Sequence, residues 1–140
     1  MSLNLEDDCM CYVCGKKNPQ GLRLDFEHPE KNKLKASVIF SKHHQGYKNI
    51  VHGGLIATVL DEMMVNLAWK EGVPAVTVEL NIRLKKAIPV DQKVLLEGQL
   101  DSVGEGKNRL IQASATAKDE KGVLLASGTA TCLRIKSKLD

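Results

Sequence analysis

The sequence has no apolar run long enough to cross a membrane. Its most apolar stretch, residues 55–70, is shorter than the roughly 20 residues that a bilayer requires, and it contains Asp61 and Glu62. The first ten residues include three acidic side chains and lack the basic start and apolar run of a secretory signal. We therefore expect a cytoplasmic protein with no membrane association, in which residues 55–70 form a buried helix.

The sequence also lacks a strong excess of charge of one sign. Twenty Lys and Arg residues against 17 Asp and Glu residues give a formal net charge of +3, and the basic residues are dispersed. Such a weak, scattered charge does not predict a nucleic-acid partner. Hydrophobic residues make up 43% of the chain and charged residues 26%, which is typical of one globular domain with its own core.

Cysteine is sparse and unevenly placed. Three of the four cysteines, Cys9, Cys11 and Cys14, crowd near the N-terminus, and Cys132 stands alone. This spacing gives no regular disulfide framework, and a cytoplasmic protein normally keeps its thiols reduced. Zn²⁺ sites usually take four ligands, and the nearest later candidates are His28 and Cys132. We therefore predict no metal and no cofactor, with a structural Zn²⁺ held by Cys9, Cys11 and Cys14 as the alternative. The sequence pattern pairs no cysteine with a histidine as a nucleophile.

Hydrophobic periodicity divides the chain into one helix and several strands. Residues 1–21 are predicted to form an irregular N-terminal arm, and residues 22–140 the folded domain. The inner faces of the last two predicted strands are rich in Ala and Gly, which lets a helix lie close to them. The pattern predicts an α+β fold in which a long antiparallel sheet curls around one central helix. The predicted strands are residues 22–26, 34–40, 76–84, 93–103, 108–118 and 123–135.

Two features of the predicted helix could carry chemistry. Gly53 and Gly54 stand at its start, where unpaired backbone N–H groups and the positive end of the helix dipole suit a carbonyl oxygen that gains negative charge. Asp61 lies inside the helix, where an ionised carboxylate is costly unless it is paired or faces a functional cavity. The alternatives are a tight turn into the helix for the glycines and a solvated stripe for Asp61 and Glu62.

The spacing of these two features predicts a dimer. Gly53 and Asp61 are eight residues apart, which is about 12 Å along one helix. One reacting carbonyl group cannot easily touch both. If both act on one acyl group, two copies of the helix must supply them, and the protein must form a two-fold dimer with two equivalent sites.

The sequence around this helix resembles a known family. His52-Gly53-Gly54 followed by Asp61 and Glu62 resembles the hotdog-fold thioesterases of the phenylacetic-acid-pathway and 4-hydroxybenzoyl-CoA thioesterase type. The resemblance covers nearly the whole chain. It includes Val76-Thr77-Val78-Glu79-Leu80-Asn81, the turn Pro89-Val90-Asp91, and an N-terminal Cys11-x-x-Cys14-Gly15 with Asn18-Pro19-x-Gly21-Leu22.

The resemblance implies a hotdog fold and the hydrolysis of an acyl-CoA thioester to a free acid and coenzyme A, with no metal or redox cofactor. It assigns Asp61 as the general base or nucleophile and the amide of Gly53 from the partner subunit as the group that polarises the carbonyl. Thr77 falls where the family often places a hydroxyl that positions the water or the carboxylate. An ordinary strand threonine is the alternative for Thr77.

Further residues are predicted to contact the substrate. Many relatives have Asn six residues before the histidine, but this chain has Gly46 there, so Gln45 and Asn49 are the nearby candidates for a second carbonyl donor. His52 and Gly54 are also predicted to lie beside the thioester. For His52, however, the preferred interpretation is a structural role in supporting the start of the helix. Glu62 competes with Asp61 for the pocket, because adjacent helical side chains point about 100° apart.

Two basic residues and the oligomeric state complete these expectations. Arg83 and Lys85 are candidates to bind the phosphates of coenzyme A. The expected partners are an acyl-CoA substrate and a second copy of the chain. Two such dimers are expected to pair into a tetramer. Two other functions fit the same fold: a non-catalytic acyl-CoA sensor, and an acyl-CoA hydratase that would use His52 with an acid.

Overall fold

The computed structural model describes residues 5–135. Residues 1–4 of the predicted arm and residues 136–140 of the predicted domain therefore lie outside the described residues. No helix within residues 5–135 combines the length and the apolar character needed to span a bilayer. A short 3₁₀ turn, Lys42–His44, precedes the helix. The helix and strands are β1 Glu27–Glu30, β2 Lys33–Ile39, α1 Gly53–Lys70, β3 Ala75–Leu84, β4 Lys93–Val103, β5 Leu110–Lys118 and β6 Leu124–Arg134.

The six strands form one antiparallel sheet in the order β1-β2-β4-β5-β6-β3, and α1 packs against β2, β3, β4, β5 and β6. The predicted architecture, a sheet around one central helix, is confirmed. One predicted strand, residues 22–26, is wrong. Leu24 is buried as its alternation requires, but the backbone N–H groups of Leu22 and Leu24 donate to the arm, at Tyr12 and Val13, instead of to a neighbouring strand.

Small residues let α1 lie close to the sheet. A Cβ atom at Gly98 of β4 would lie 2.7 Å from the carbonyl oxygen of Met63, so this strand touches the helix backbone itself. The faces of β5 and β6 that are turned toward α1 carry small buried side chains, and α1 packs larger side chains against them. The buried residues of α1 are Ile56, Val59, Leu60, Met63, Met64, Leu67 and Ala68. Those facing them are Ala113, Ala115, Ala117, Ala126, Ala130 and Cys132.

A β-bulge changes which face of β3 each residue occupies. Thr77 lies opposite Cys132 and Glu79 opposite Thr131, so Val78 is an extra residue in the strand. Beyond it, Leu80 lies opposite the buried Ala130. Because directly paired residues share a face, Thr77 and Leu80 both face the helix side of the sheet. A strict alternation would place Thr77 with Glu79 on the outer face.

The C-terminal end of α1 is tied to the β1–β2 turn by Glu71. The carboxylate Oε1 of Glu71 accepts a hydrogen bond from the backbone N–H of Asn32 and lies 2.8 Å from Nε2 of His28. The Asn32 amide and the His28 ring hold the pKa of Glu71 below its ordinary value. The Glu71 side chain is only 12% exposed, and its bond to the Asn32 amide is partly buried. They hold the hairpin edge of the sheet to the helix end.

We expect Glu71→Gln to lower the free energy of unfolding at pH 7 by about 1–3 kcal/mol, because hydrogen bonds to a charged acceptor are lost. A lowered folded-state pKa stabilises the protein above the ordinary glutamate pKa of about 4.3, and this stabilisation is lost as pH falls through the folded-state value. Urea unfolding of both proteins should therefore show a difference that shrinks in acid.

Glu30→Gln is the matched control, because Glu30 meets Lys33 at 3.9 Å with a side chain that is 66% exposed, and exposed pairs contribute little. A difference between Glu71→Gln and the unmodified protein that stays constant or grows in acid would contradict this account.

Candidate active site

The first turn of α1 leaves one backbone donor free. His52 is the N-cap residue, and its Nδ1 accepts a hydrogen bond from the N–H of Gly54 at 2.9 Å. The carbonyl oxygen of His52 accepts from Leu55 at 2.9 Å. The N–H of Gly53 has no hydrogen-bond acceptor among the described residues. Of the two predicted glycines, Gly53 thus offers its amide to a ligand, while the amide of Gly54 is occupied by the capping histidine.

Asp61 and Thr77 meet in a half-buried pair. The hydroxyl of Thr77 donates to Oδ1 of Asp61 at 2.7 Å and lies 3.9 Å from the sulfur of Cys132. The bulge at Val78 turns Thr77 toward the helix. Burial, together with the nearby charge of Asp61, raises the pKa of the Cys132 thiol, so this neighbour is neutral at physiological pH. The pair therefore presents a carboxyl group with one oxygen held by a hydroxyl.

The two halves of the predicted site lie apart within one chain. Gly53 and Asp61 occupy the same helix eight residues, or about 12 Å, apart. Gly53 packs at the far end of β3, where a Cβ atom on it would lie 2.6 Å from Cδ1 of Leu84. Thr77 lies near the other end of the same strand. The structure brings Asp61 to Thr77 and Gly53 to Leu84, but it does not bring the two pairs together.

Glu62 faces a different set of groups from Asp61. Its Oε1 lies 3.9 Å from the sulfur of Cys11 and 3.4 Å from Nδ2 of Asn66. Burial and the Glu62 carboxylate both raise the pKa of the Cys14 thiol, which argues against Cys14 as a thiolate nucleophile. Although Glu62 is a predicted substrate contact, it lies beneath the N-terminal arm instead of beside Thr77.

The loop before the helix uses its polar groups internally. Oε1 of Gln45 accepts from the backbone N–H of Asn49 at 3.0 Å, and Asn49 adopts a positive φ of 61°. A Cβ atom at Gly46 would lie 3.3 Å from the ring of His52, so the loop packs directly on the capping histidine. Gln45 and Asn49, which are predicted to contact the substrate, therefore hold the loop in shape. Only the side-chain amide atoms that these bonds do not use are left to contact a ligand.

One structural residue of this loop is missing from the sequence-based predictions. Nδ1 of His44 accepts from the backbone N–H of Ser41 at 2.9 Å, while the hydroxyl of Ser41 accepts from His43. The His44 ring also packs edge-on against Phe40. The spacing Ser-x-x-His is similar to a capping box, with His in place of the usual Glu or Gln, and that signal could have identified it.

The predicted coenzyme contacts are exposed and lie at the Gly53 end of the molecule. Arg83 pairs with Ser127 on the outer face of the sheet, and Lys85 follows the end of β3. Neither approaches Asp61 within the chain. A groove of about 580 Å³ lies elsewhere, between residues 21–27 and strands β2 and β4, and neither Asp61 nor Gly53 lines it. That groove is consequently not the candidate active site.

Comparison with known proteins adds family information to this geometry. Residues 48–126 match the sequence model of the family described as the thioesterase superfamily. Acyl-coenzyme A thioesterase THEM4 of Mus musculus is 38% identical over 93 residues, which are 66% of this chain and 39% of that protein. The chain spans less than half the length of the curated relatives it matches.

Solved structures share the fold. Protein RHA08564, a thioesterase superfamily protein, superposes with a TM-score of 0.79 at 24% identity, covering 85% of this chain and 60% of that one. A hypothetical thioesterase from Streptococcus pneumoniae TIGR4, solved with coenzyme A, gives 0.72 at 18% identity, covering 81% and 87%. Two further structures are mutants of a hypothetical thioesterase from Streptococcus pneumoniae TIGR4. One carries alanine in place of an aspartate, and the other carries alanine in place of a threonine sixteen residues later.

Proposed function

Because the chain belongs to the thioesterase superfamily, we propose that it hydrolyses an acyl-CoA thioester to a free acid and coenzyme A. The family match and the acyl-coenzyme A thioesterase name of the mouse relative support the reaction and the substrate class. Coenzyme A in the streptococcal structure shows that this fold can hold the leaving group. The observation in this chain that carries the proposal is the hydrogen-bonded pair of Asp61 and Thr77.

Asp61 is the reactive carboxylate in this proposal. The Thr77 hydroxyl holds Oδ1 of Asp61, which leaves Oδ2 to take a proton from a water molecule or to attack the thioester carbon itself. Attack by water forms a tetrahedral intermediate whose oxyanion accepts a hydrogen bond from the N–H of Gly53. The intermediate then breaks its carbon–sulfur bond, and the departing thiolate takes up the proton that Asp61 accepted.

The spacing of Asp61 and Thr77 supports their pairing as a functional unit. They are sixteen residues apart, which is the separation between the aspartate and the threonine replaced in the streptococcal variants. Glu62 has no such partner, because its carboxylate faces Cys11 and Asn66. We therefore assign the reaction to Asp61 and leave Glu62 outside the reacting centre.

A two-fold dimer completes the site by joining Asp61 of one subunit to Gly53 of the other. The edge strand β3 supports this arrangement, because it pairs only with β6 among the described strands and leaves its other edge free over ten residues. Val78 and Leu84 on it are 56% and 57% exposed. A long, exposed, apolar edge is prone to pair with another strand.

The direction of that pairing is what brings the two half-sites together. When two β3 strands pair antiparallel about a two-fold axis, the Thr77 end of one lies beside the Leu84 end of the other. Thr77 holds Asp61, and Leu84 packs on Gly53. Each Asp61 thereby approaches the partner's Gly53, with Arg83 and Lys85 nearby to meet the phosphates of coenzyme A. Pairing of two dimers into a tetramer stays a prediction.

We expect Asp61→Asn to lower kcat for acyl-CoA hydrolysis by about 10²–10⁴-fold with the dimer intact, because the base is lost. Glu62→Gln should lower it much less. The assay is release of free thiol from aromatic and medium-chain acyl-CoAs, with a protein-only blank for the chain's own cysteines. The reverse ranking would transfer the role to Glu62. Absence of thiol release with every acyl group would favour a sensor or a hydratase.

Gly53→Pro tests the amide donor, because proline removes the N–H and is well tolerated at the first helical position. His52 already has φ −60° and ψ 128°, which suits a residue before proline. The expected result is a loss of about 10²–10³ in kcat.

Gly53→Ala is the matched control, since it places the same Cβ atom against Leu84 and keeps the N–H. The loss of kcat in Gly53→Ala should be much smaller than in Gly53→Pro. Equal losses in the two variants, with equal thermal stability, would show that the amide is not the oxyanion donor.

A further inference from the structure

Three potential metal ligands converge where the N-terminal arm crosses α1. The sulfurs of Cys11 and Cys14 and a carboxylate oxygen of Glu62 all lie within 4.8 Å of one another. The Cys11 sulfur is 3.9 Å from Oε1 of Glu62, although the two residues are 51 positions apart in the chain. In the part of the chain that the structure describes, this is the one group of three or more His, Cys, Asp or Glu side chains whose ligand atoms lie so close together.

The backbone around the two cysteines forms a tight turn that requires glycine. The N–H of Gly15 donates to the carbonyl oxygen of Cys11 at 2.8 Å. A Cβ atom at Gly15 would lie 2.4 Å from the Cys11 nitrogen and 2.5 Å from its carbonyl oxygen, so no other residue fits. The turn is anchored by hydrogen bonds from Leu22 to Tyr12 and from Leu24 to Val13. It is a fixed loop that presents both sulfurs to the helix.

The donor set and its spacing suit Zn²⁺. Two thiolates and one carboxylate are ligands that zinc accepts in tetrahedral sites. With zinc–sulfur bonds of about 2.3 Å and zinc–oxygen bonds of about 2.0–2.2 Å, neighbouring ligand atoms lie about 3.5–3.8 Å apart. The 3.9 Å between Cys11 and Glu62 is close to this value. A small adjustment of side-chain rotamers would bring all three atoms onto one ion.

Water in the fourth position would suit a polar group beside Glu62. Nδ2 of Asn66 donates to Glu62 Oε1, but Oδ1 of Asn66 is buried and has no hydrogen-bond partner among the described residues. Buried acceptors in native proteins are usually satisfied by protein or water. A water molecule bound to the metal is a donor and would supply that partner.

We propose that Cys11, Cys14 and Glu62 bind one Zn²⁺ ion with water as the fourth ligand, and that the ion ties the N-terminal arm to α1. Each thiol releases its proton to solvent as its sulfur binds the metal. The two residues considered from the sequence as later ligands do not join the cluster: His28 contacts Glu71, and Cys132 lies beside Thr77. The site does not depend on the thioesterase activity.

The first test uses the unmodified chain, stripped with EDTA and kept under a non-thiol reductant. Zinc titration followed by desalting and elemental analysis should give one Zn²⁺ per chain. Cobalt in its place should give thiolate-to-metal charge-transfer absorption. Zinc should also protect Cys11 and Cys14, but not Cys9, from alkylation mapped by mass spectrometry. Substoichiometric zinc, cobalt without the thiolate absorption, or unprotected Cys11 and Cys14 would each overturn the proposal.

The second test compares ligand variants with a matched control. Cys14→Ser and Glu62→Gln should each weaken zinc affinity by more than about tenfold. Cys9→Ser should bind zinc as the unmodified chain does, because Cys9 lies outside the cluster. A loss in Cys9→Ser equal to that in Cys14→Ser would overturn the assignment. If a variant fails to fold, the protection pattern of the unmodified chain decides the question.

Discussion

The site depends on one constraint: α1 is a rigid rod that holds the amide of Gly53 and the carboxylate of Asp61 about 12 Å apart. No rearrangement of side chains can bring both to one carbonyl group. The sheet then determines what each end of the rod faces, with Thr77 at the Asp61 end and Leu84 at the Gly53 end. Any function that uses both ends must take one of them from a second chain.

Close packing of the helix on the sheet makes this placement unambiguous. At Gly98 the strand touches the helix backbone at Met63, so α1 and β4 are in direct contact there. The bulge at Val78 then turns Thr77 to the helix side, so that its hydroxyl reaches Asp61. Without the extra residue the same strand would present Thr77 to the outer face. A small residue and a bulge, both remote in sequence from Asp61, therefore position Asp61 and Thr77 relative to each other.

The sequence predicts local elements better than the contacts between them. The helix and the long strands follow from their periodicity, and the separation of Gly53 from Asp61 follows from helix geometry alone. The phase of β3 could not be predicted, because a bulge depends on pairing with β6 and leaves no mark on the alternation around Thr77. The segment 22–26 alternates like a strand but bonds to the arm. The contact of Glu62 with Cys11 joins residues 51 positions apart, beyond the reach of any local pattern.

The most direct test of a site shared between subunits uses a mixed dimer of Asp61→Asn and Gly53→Pro chains, coexpressed with different affinity tags and purified through both. If each site takes its carboxylate from one subunit and its amide from the other, one of the two sites contains both lesions and the other contains neither. The mixed dimer should then recover about half the activity of the unmodified dimer, far above either parent. Activity no greater than that of the parents would contradict the account.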